Sequence, residues 1–225
     1  MVLNLVKTSL FLLLISSLLG CKANEVEVSI STKDIEKAIL GENISVGFDA
    51  TLGLMAENDE EMRRTMQRIA AVTENYLTLE EFELTTGDFG LNIDVEGEIP
   101  LIYVEDISQI KNIREPWALI IMKNEKKGTL SGFPYSLKFS ETNSFNAYSG
   151  ELNEINIMLS PDKRQPIKFK IKNNSKVPLT LFSGGVEVNG EHFAIYETAV
   201  KKRISLTMQD GVYDNTAPLI YFRLD

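Results

Sequence analysis

The fold is indicated most clearly by residues 169–190, which read FKIKNNSKVPLTLFSGGVEVNG. Apolar and polar residues alternate along this stretch, and such alternation is typical of strands that are buried on one face. Near its end, Asn189-Gly190 separates two such runs, and this dipeptide is a strong signal for a two-residue hairpin turn. The stretch therefore predicts consecutive strands joined by short turns.

The same alternation recurs through the C-terminal half of the chain. Runs of this kind span Leu119–Lys123, Leu130–Phe139, Leu152–Leu159, Ile167–Lys172, Val177–Phe182, Ile204–Met208 and Ile220–Leu224. About seven short strands with turn signals between them predict an antiparallel β-sandwich domain over 116–225. The stretch 169–190 also resembles strand pairs of immunoglobulin-like domains in secreted bacterial proteins. That resemblance implies a fold and carries no functional residues.

The N-terminal half combines strands with one long helix. Residues 44–54 carry six apolar positions at period two, which predicts a strand. In the following segment Met62, Met66 and Ile69 fall on one helical stripe, which predicts an amphipathic helix over roughly 59–77. Region 26–110 is therefore expected to be α+β, and the whole chain α+β with a C-terminal sandwich.

The first twenty residues are typical of a secretory signal peptide. Lys7 precedes an almost purely apolar run of about ten residues, Leu10 to Leu19, whereas spanning a bilayer needs roughly 20. The run ends in Leu18-Leu19-Gly20-Cys21, which resembles the lipobox of bacterial lipoproteins. The match covers residues 1–22 only.

The lipobox resemblance implies a processed and lipidated N-terminus. Cleavage would fall between Gly20 and Cys21, the Cys21 sulfur would receive a diacylglycerol, and the new amine would be acylated, for example by palmitate. Residues 1–20 would be the signal peptide and 21–25 a lipidated tether. In Gram-negative lipoproteins, Asp directly after the lipidated cysteine tends to retain the protein in the inner membrane. This chain has Lys22 at that position, so the resemblance implies transport to the outer membrane, with the body facing the periplasm.

Charge is distributed unevenly along the chain. Residues 22–106 contain 20 acidic and 6 basic side chains, whereas residues 107–225 contain 12 acidic and 16 basic ones. The basic residues cluster at Lys168, Lys170, Lys172 and Lys176, and the first three share one strand face. A second basic group, residues 201–203, lies further along the chain.

Three interpretations of the lysine cluster remain open at this point. Exposed lysines can solvate a strand and protect its edge against aggregation. They can also form a positive patch for an acidic protein partner, a lipid head group or an anionic polysaccharide of the envelope. In the third interpretation, the acidic and basic halves pack on each other.

The composition argues against several chemistries. A chain with one cysteine and one histidine cannot form an internal disulfide or supply four Cys/His ligands to zinc. The net charge of −9 argues against a nucleic-acid binder, because phosphate affinity comes from clustered Lys and Arg. Ser160 and Lys163 match S-x-x-K, but they lie in a turn-like stretch, SPDKRQP, without the partner motifs of penicillin-recognising enzymes. We expect no cofactor and no metal.

The sequence therefore favours a membrane-anchored, periplasm-facing lipoprotein that acts by binding and without catalysis. Its partner would be a protein or another envelope component. One alternative is a structural part of an envelope assembly such as secretion or conjugation machinery, or an exclusion or inhibitor lipoprotein of the phage and plasmid type. Another is a carboxylate-dependent envelope hydrolase, which a cleft lined by converging acids would favour.

Overall fold

The computed structural model describes residues 25–54, 59–87, 90–106, 110, 113–124, 128–155, 159, 166–208 and 219–224. The predicted signal peptide and the tether up to residue 24 lie outside these ranges. Within them the chain forms β1 (Glu25–Ser31), α1 (Thr32–Ile39), β2 (Ile44–Leu54), α2 (Asp59–Tyr76), β3 (Thr78–Gly87), β4 (Gly90–Val104), β5 (Trp117–Lys123), a 3-10 helix (Gly128–Gly132), β6 (Tyr135–Glu141), α3 (Phe145–Ile155), β7 (Ile167–Lys172), β8 (Leu179–Val188), β9 (Glu191–Val200), β10 (Arg203–Met208) and β11 (Leu219–Leu224). None of the described helices is long and apolar enough to span a membrane.

Nine of the strands form a closed ring. Their order is β10-β7-β1-β2-β4-β5-β6-β11-β8, and β8 pairs back to β10 through Thr207–Glu187 and Met208–Val186. The remaining two strands extend the sheet outside the ring, β3 beside β4 and β9 beside β8. The result is a predominantly β structure organised as a nine-stranded barrel.

The predicted α+β fold with a C-terminal sandwich is wrong. Strands of region 26–110 and strands of region 116–225 enter the same ring through two parallel pairings, β1 with β7 and β4 with β5. Alternation at period two identifies which face of a strand is buried, but it does not identify the neighbouring strand. The two regions therefore share one hydrophobic core, and the immunoglobulin-like resemblance does not hold.

Individual elements were predicted with different success. The helix predicted over roughly 59–77 is present as α2, and Asn189-Gly190 forms the turn between β8 and β9 with positive φ at both residues. The strand predicted over Leu152–Leu159 is wrong, because α3 covers its first part. Phe145, Tyr148 and Leu152 are buried in α3 at a helical spacing of three and four residues.

Aromatic side chains fill the centre of the core around Trp117. Its ring lies 5.2 Å from that of Phe48 and 6.4 Å from that of Phe139, both in stacked arrangements. Tyr148 of α3 approaches Trp117 edge-on at 5.5 Å and is fully buried, which raises the pKa of its phenol to about 12. Because the interior is filled with apolar side chains, the charged and polar groups that could bind a ligand lie on the outer surface.

Candidate functional site

The outer face of β7 carries three lysines at alternate positions. Lys168 is partly exposed, Lys170 and Lys172 are exposed, and the apolar residues between them are buried. The shared strand face predicted for these lysines is therefore present. On one side β7 pairs with β1 in parallel, and on the other it pairs with β10 in antiparallel orientation.

Two of the lysines are neutralised by a carboxylate on β1. Lys168 Nζ lies 3.1 Å from Glu27 Oε2, and Lys170 Nζ contacts the other oxygen of the same carboxylate. The Glu27 side chain is only 14% exposed beneath them. Burial alone would raise the pKa of Glu27, but the hydrogen bonds and charges of Lys170 and Lys168 hold it below its ordinary value. This part of the predicted patch is thus an ion-pair network.

Beyond this network the positive charge gathers in an open groove between β1, β7 and β10. The groove has a volume of about 1060 Å³. We call it the basic groove and define it by its charged and hydroxyl-bearing lining residues: Lys170, Lys172, Lys202, Arg203, Asp34, Ser29, Ser31 and Ser205. Lys170 is shared with the Glu27 network, so the charge of the groove comes mainly from Lys172, Lys202 and Arg203. With one lining carboxylate, Asp34, the groove stays positive.

The strand register places two cations of the groove directly opposite each other. Lys172 of β7 faces Arg203 of β10, and residues paired in this way have Cβ atoms about 4.5–5.5 Å apart. Like charges in this arrangement destabilise a sheet. Among the described residues, no carboxylate forms an ion pair with Lys172, Lys202 or Arg203. An anion lying between these side chains would relieve their repulsion.

The loop after β7 fixes one end of the groove. Asn173 donates its backbone N–H to the Lys202 carbonyl at 2.7 Å and its side-chain amide to the Val200 carbonyl at 2.9 Å. The buried hydroxyl of Thr32 accepts hydrogen bonds from the backbone N–H groups of Asn174 and Ser175, at 3.1 and 3.0 Å. These bonds hold the Lys202 backbone against the end of β7.

The N-terminus of α1 borders the groove, but its backbone donors are already used. Ser31 accepts from the Asp34 N–H at 3.4 Å, and Asn174 accepts from the Lys33 N–H at 3.1 Å. The Asp34 carboxylate in turn accepts from the Ser31 N–H at 2.9 Å, which completes a capping box. An anion in the groove would therefore be held by side chains and not by the helix end.

The four lysines of the predicted binding patch are divided by the structure. Lys170 and Lys172 line the basic groove, Lys168 is bound to Glu27, and Lys176 is exposed and does not line the groove. Lys202 and Arg203 join the groove instead. The second basic group at residues 201–203 was visible in the sequence, but its place beside β7 depends on the β7–β10 pairing.

A second, shallower groove of about 400 Å³ lies on the adjoining strands and carries carboxylates. Glu27, Asp49 and Glu96 lie in one row because Asp49 pairs with Glu27 on β1 and with Glu96 on β4. Asp94 accepts hydrogen bonds from Thr51 at 2.8 Å and from Thr85 at 2.7 Å. Converging acids of this kind were the feature expected of a hydrolase.

Two acids of this row, Asp49 and Glu27, have pKa values shifted in opposite directions. Partial burial, the charge and hydrogen bond of Glu27 and the charge of Glu96 raise the pKa of Asp49 to about 6, against a partly compensating Lys170. The pKa of Glu27 is lowered, as described above. Two neighbouring carboxyl groups whose pKa values are shifted apart in this way can serve as a proton donor and a proton acceptor.

The raised pKa of Asp49 predicts a pH-dependent stability. Because the folded protein binds this proton more tightly than the unfolded chain, stability falls as pH rises from about 4 to about 6 and is then level. We expect Asp49→Asn to raise the free energy of unfolding at pH 7.5 by about 1 kcal/mol after allowance for solvent screening, and to change little at pH 4.5. Urea unfolding at the two pH values measures this.

The matched control for this prediction is Glu98→Gln, which removes one charge from the same sheet two residues along β4 from Glu96. It lies opposite Gly47 rather than in the row of Asp49. Equal stabilisation by both variants at pH 7.5 would contradict the prediction, since it would reflect net charge alone.

The S-x-x-K match and the single histidine of the chain, His192, complete the candidates from the sequence. Ser160 and Lys163 lie outside the described residues. His192 is exposed, and its Nε2 lies 3.7 Å from a Glu187 carboxylate oxygen. Within the described ranges, no three His, Cys, Asp or Glu side chains are placed to hold a metal ion.

Comparison with known proteins identifies no relative: no protein-family model, no curated protein and no solved structure matches the chain.

Proposed function

We propose that this chain is a lipoprotein anchored through Cys21 in the outer membrane, and that its periplasm-facing body binds an acidic component of the envelope through the basic groove without a catalytic step. The observation that carries the binding role is the Lys172–Arg203 pair, two like charges in register without a carboxylate partner among the described residues. The lipobox-like Leu18-Leu19-Gly20-Cys21 supports the anchor.

The geometry supports binding in preference to simple solvation of a strand. Lysines that only protect an edge need no neighbouring cations, whereas the basic groove gathers side chains from β7, β10 and the turn before β10. The Asn173 and Thr32 hydrogen bonds hold these segments together. Charge complementarity of this kind steers an acidic partner and fixes its orientation.

Crosslinking in intact cells tests this function. We expect Lys172→Glu with Arg203→Glu to lower partner capture about tenfold or more, because charge-assisted contacts become repulsive. The matched control is Lys176→Glu with Lys201→Glu, which makes the same change of charge outside the groove. Captured species are quantified by mass spectrometry, and equal losses in the two double variants would refute a specific groove.

A second candidate, a carboxylate-dependent hydrolase, is favoured by the Asp49–Glu27 pair. Its carboxylates lie on the outer face of the sheet, in a shallow groove that lysine side chains also line. The same variants separate the two functions, because a hydrolase that works through Glu27 and Asp49 does not require Lys172 and Arg203. If the protein with Lys172→Glu and Arg203→Glu retained full hydrolytic activity on envelope material, the hydrolase would be favoured.

A further inference from the structure

We propose that the ligand of the basic groove is a phosphate-bearing molecule with at least two anionic groups. This inference rests on the binding function proposed above and names the chemistry of the component that the groove accepts. The shared chemistry is the phosphate group, whether it comes from a soluble or polymeric phosphate or from a lipid head group.

The charge of the groove calls for a multiply charged ligand. Three of its lining cations, Lys172, Lys202 and Arg203, have no ion pair with a described carboxylate, and Lys170 is shared with Glu27. Against the one lining carboxylate, Asp34, a ligand with a single negative charge would leave part of this positive charge unbalanced. Lysine binds phosphate as a point charge, and arginine binds it through two parallel N–H donors. The hydroxyl groups of Ser29, Ser31 and Ser205 add neutral donors for phosphate oxygens.

The spacing of the cations matches two anionic groups in succession. Lys172 and Arg203 are opposite each other, so one phosphate between them can accept hydrogen bonds from both side chains. Lys170 lies two residues along β7 on the same face, a separation of about 7 Å. A phosphodiester chain places its second charge at such a distance, beside Lys170 and Ser205, which is paired with it. The second phosphate of a diphosphate lies closer to the first, and the flexible stem of Lys170 can reach it.

The chemical character of the lining disfavours a protein surface or a nucleic acid. Lysine and serine, which are depleted in protein–protein interfaces, make up six of the twelve lining residues. The described lining contains no aromatic side chain on which a base could stack. What remains is a set of charged and hydroxyl donors suited to an anionic group.

Calorimetric titration of the full, lipidated chain in neutral maltoside micelles tests the inference. One arm adds pyrophosphate, and the other compares micelles doped with cardiolipin, whose head group carries two phosphates, or with phosphatidylcholine. We expect saturable binding of at least one phosphate probe, weakened about tenfold by Lys172→Gln with Arg203→Gln. Lys176→Gln with Lys201→Gln, which removes the same charge outside the groove, should change the affinity less than about twofold.

Each outcome decides between the possibilities. Binding of pyrophosphate assigns a soluble or polymeric source, and selective binding to cardiolipin micelles without binding of pyrophosphate assigns a lipid source. No saturable binding of either probe, or equal weakening by the two double variants, overturns the inference. If partner capture in cells still depends on Lys172 and Arg203 in that case, the proposed binding function stands and only its phosphate chemistry is wrong.

Discussion

Gly97→Ala is expected to lower the free energy of unfolding by about 3 kcal/mol, which is about 6–12 °C in Tm for a chain of this size. Gly97 lies in β4, buried between Phe48 of β2 and Leu79 of β3. A Cβ atom built there would lie 2.5 Å from the Thr78 carbonyl oxygen and 3.4 Å from its carbonyl carbon. These are backbone atoms of a neighbouring strand, so the clash is relieved only if β3 moves away from β4.

Gly47→Ala is the matched control because it places the same methyl group on the adjacent strand. The nearest atom to a Cβ at Gly47 is the Ser29 Cβ at 3.6 Å, an ordinary contact. We expect this variant to be neutral or more stable by about 0.5 kcal/mol, because alanine reduces the freedom of the unfolded chain. Thermal and urea unfolding of both proteins measure the difference. Similar stability of the two variants would show that β3 is not packed against β4 as described.

The close approach at Gly97 also shows what a sequence pattern leaves undetermined. Alternation marked residues 44–54 as a strand, and this strand is present as β2. Nothing in that pattern indicated that Phe48 would pair with Gly97, or that β3 would shift its register between Leu79 and Glu81 beside it. Faces are encoded by local periodicity, whereas partners are selected by packing between distant segments.

Closure of the ring depends on the most distant of these pairings. Val26 of β1 lies beside Ile167 of β7, and in the described part of the chain two residue pairs join β10 to β8. The number and spacing of strands in a sequence are the same for a two-layer sandwich and for a closed ring. Since these pairings are not visible in the sequence, the strand count predicted a sandwich. The sequence pattern therefore predicted most of the strands correctly but not the way in which they pair.

The candidate site was predictable to a similar extent. Period two placed Lys168, Lys170 and Lys172 on one face, and the structure has them there. The division of that face into an ion-pair network and the basic groove could not be predicted, because Glu27 precedes Lys168 by more than a hundred residues. The parallel register of β1 and β7 brings the two side chains together.

The anchoring half of the proposed function predicts an all-or-none effect for Cys21→Ser. We expect the wild-type protein in the membrane fraction with acyl chains on Cys21, and the variant without any acyl mass, because serine offers no thiol for the diacylglycerol. One acyl chain gives marginal and reversible membrane binding, whereas two or more give a stable anchor, so loss of lipidation abolishes the anchor. Cell fractionation with intact-mass measurement of the N-terminus checks both location and lipidation.

Lys22→Asp is the matched control for Cys21→Ser, because it alters the neighbouring residue and leaves the thiol in place. The lipobox resemblance implies that this variant is still lipidated and cleaved after Gly20, but moves from the outer to the inner membrane. Separation of the two membranes on a density gradient therefore distinguishes loss of the lipid anchor from a move to the inner membrane. If the wild-type protein is membrane-bound, carries no acyl mass and still contains residues 1–20, that segment acts as the anchor itself and the lipoprotein proposal fails. The basic groove would still be present on a protein held in the membrane by residues 1–20, because none of its lining residues depends on Cys21.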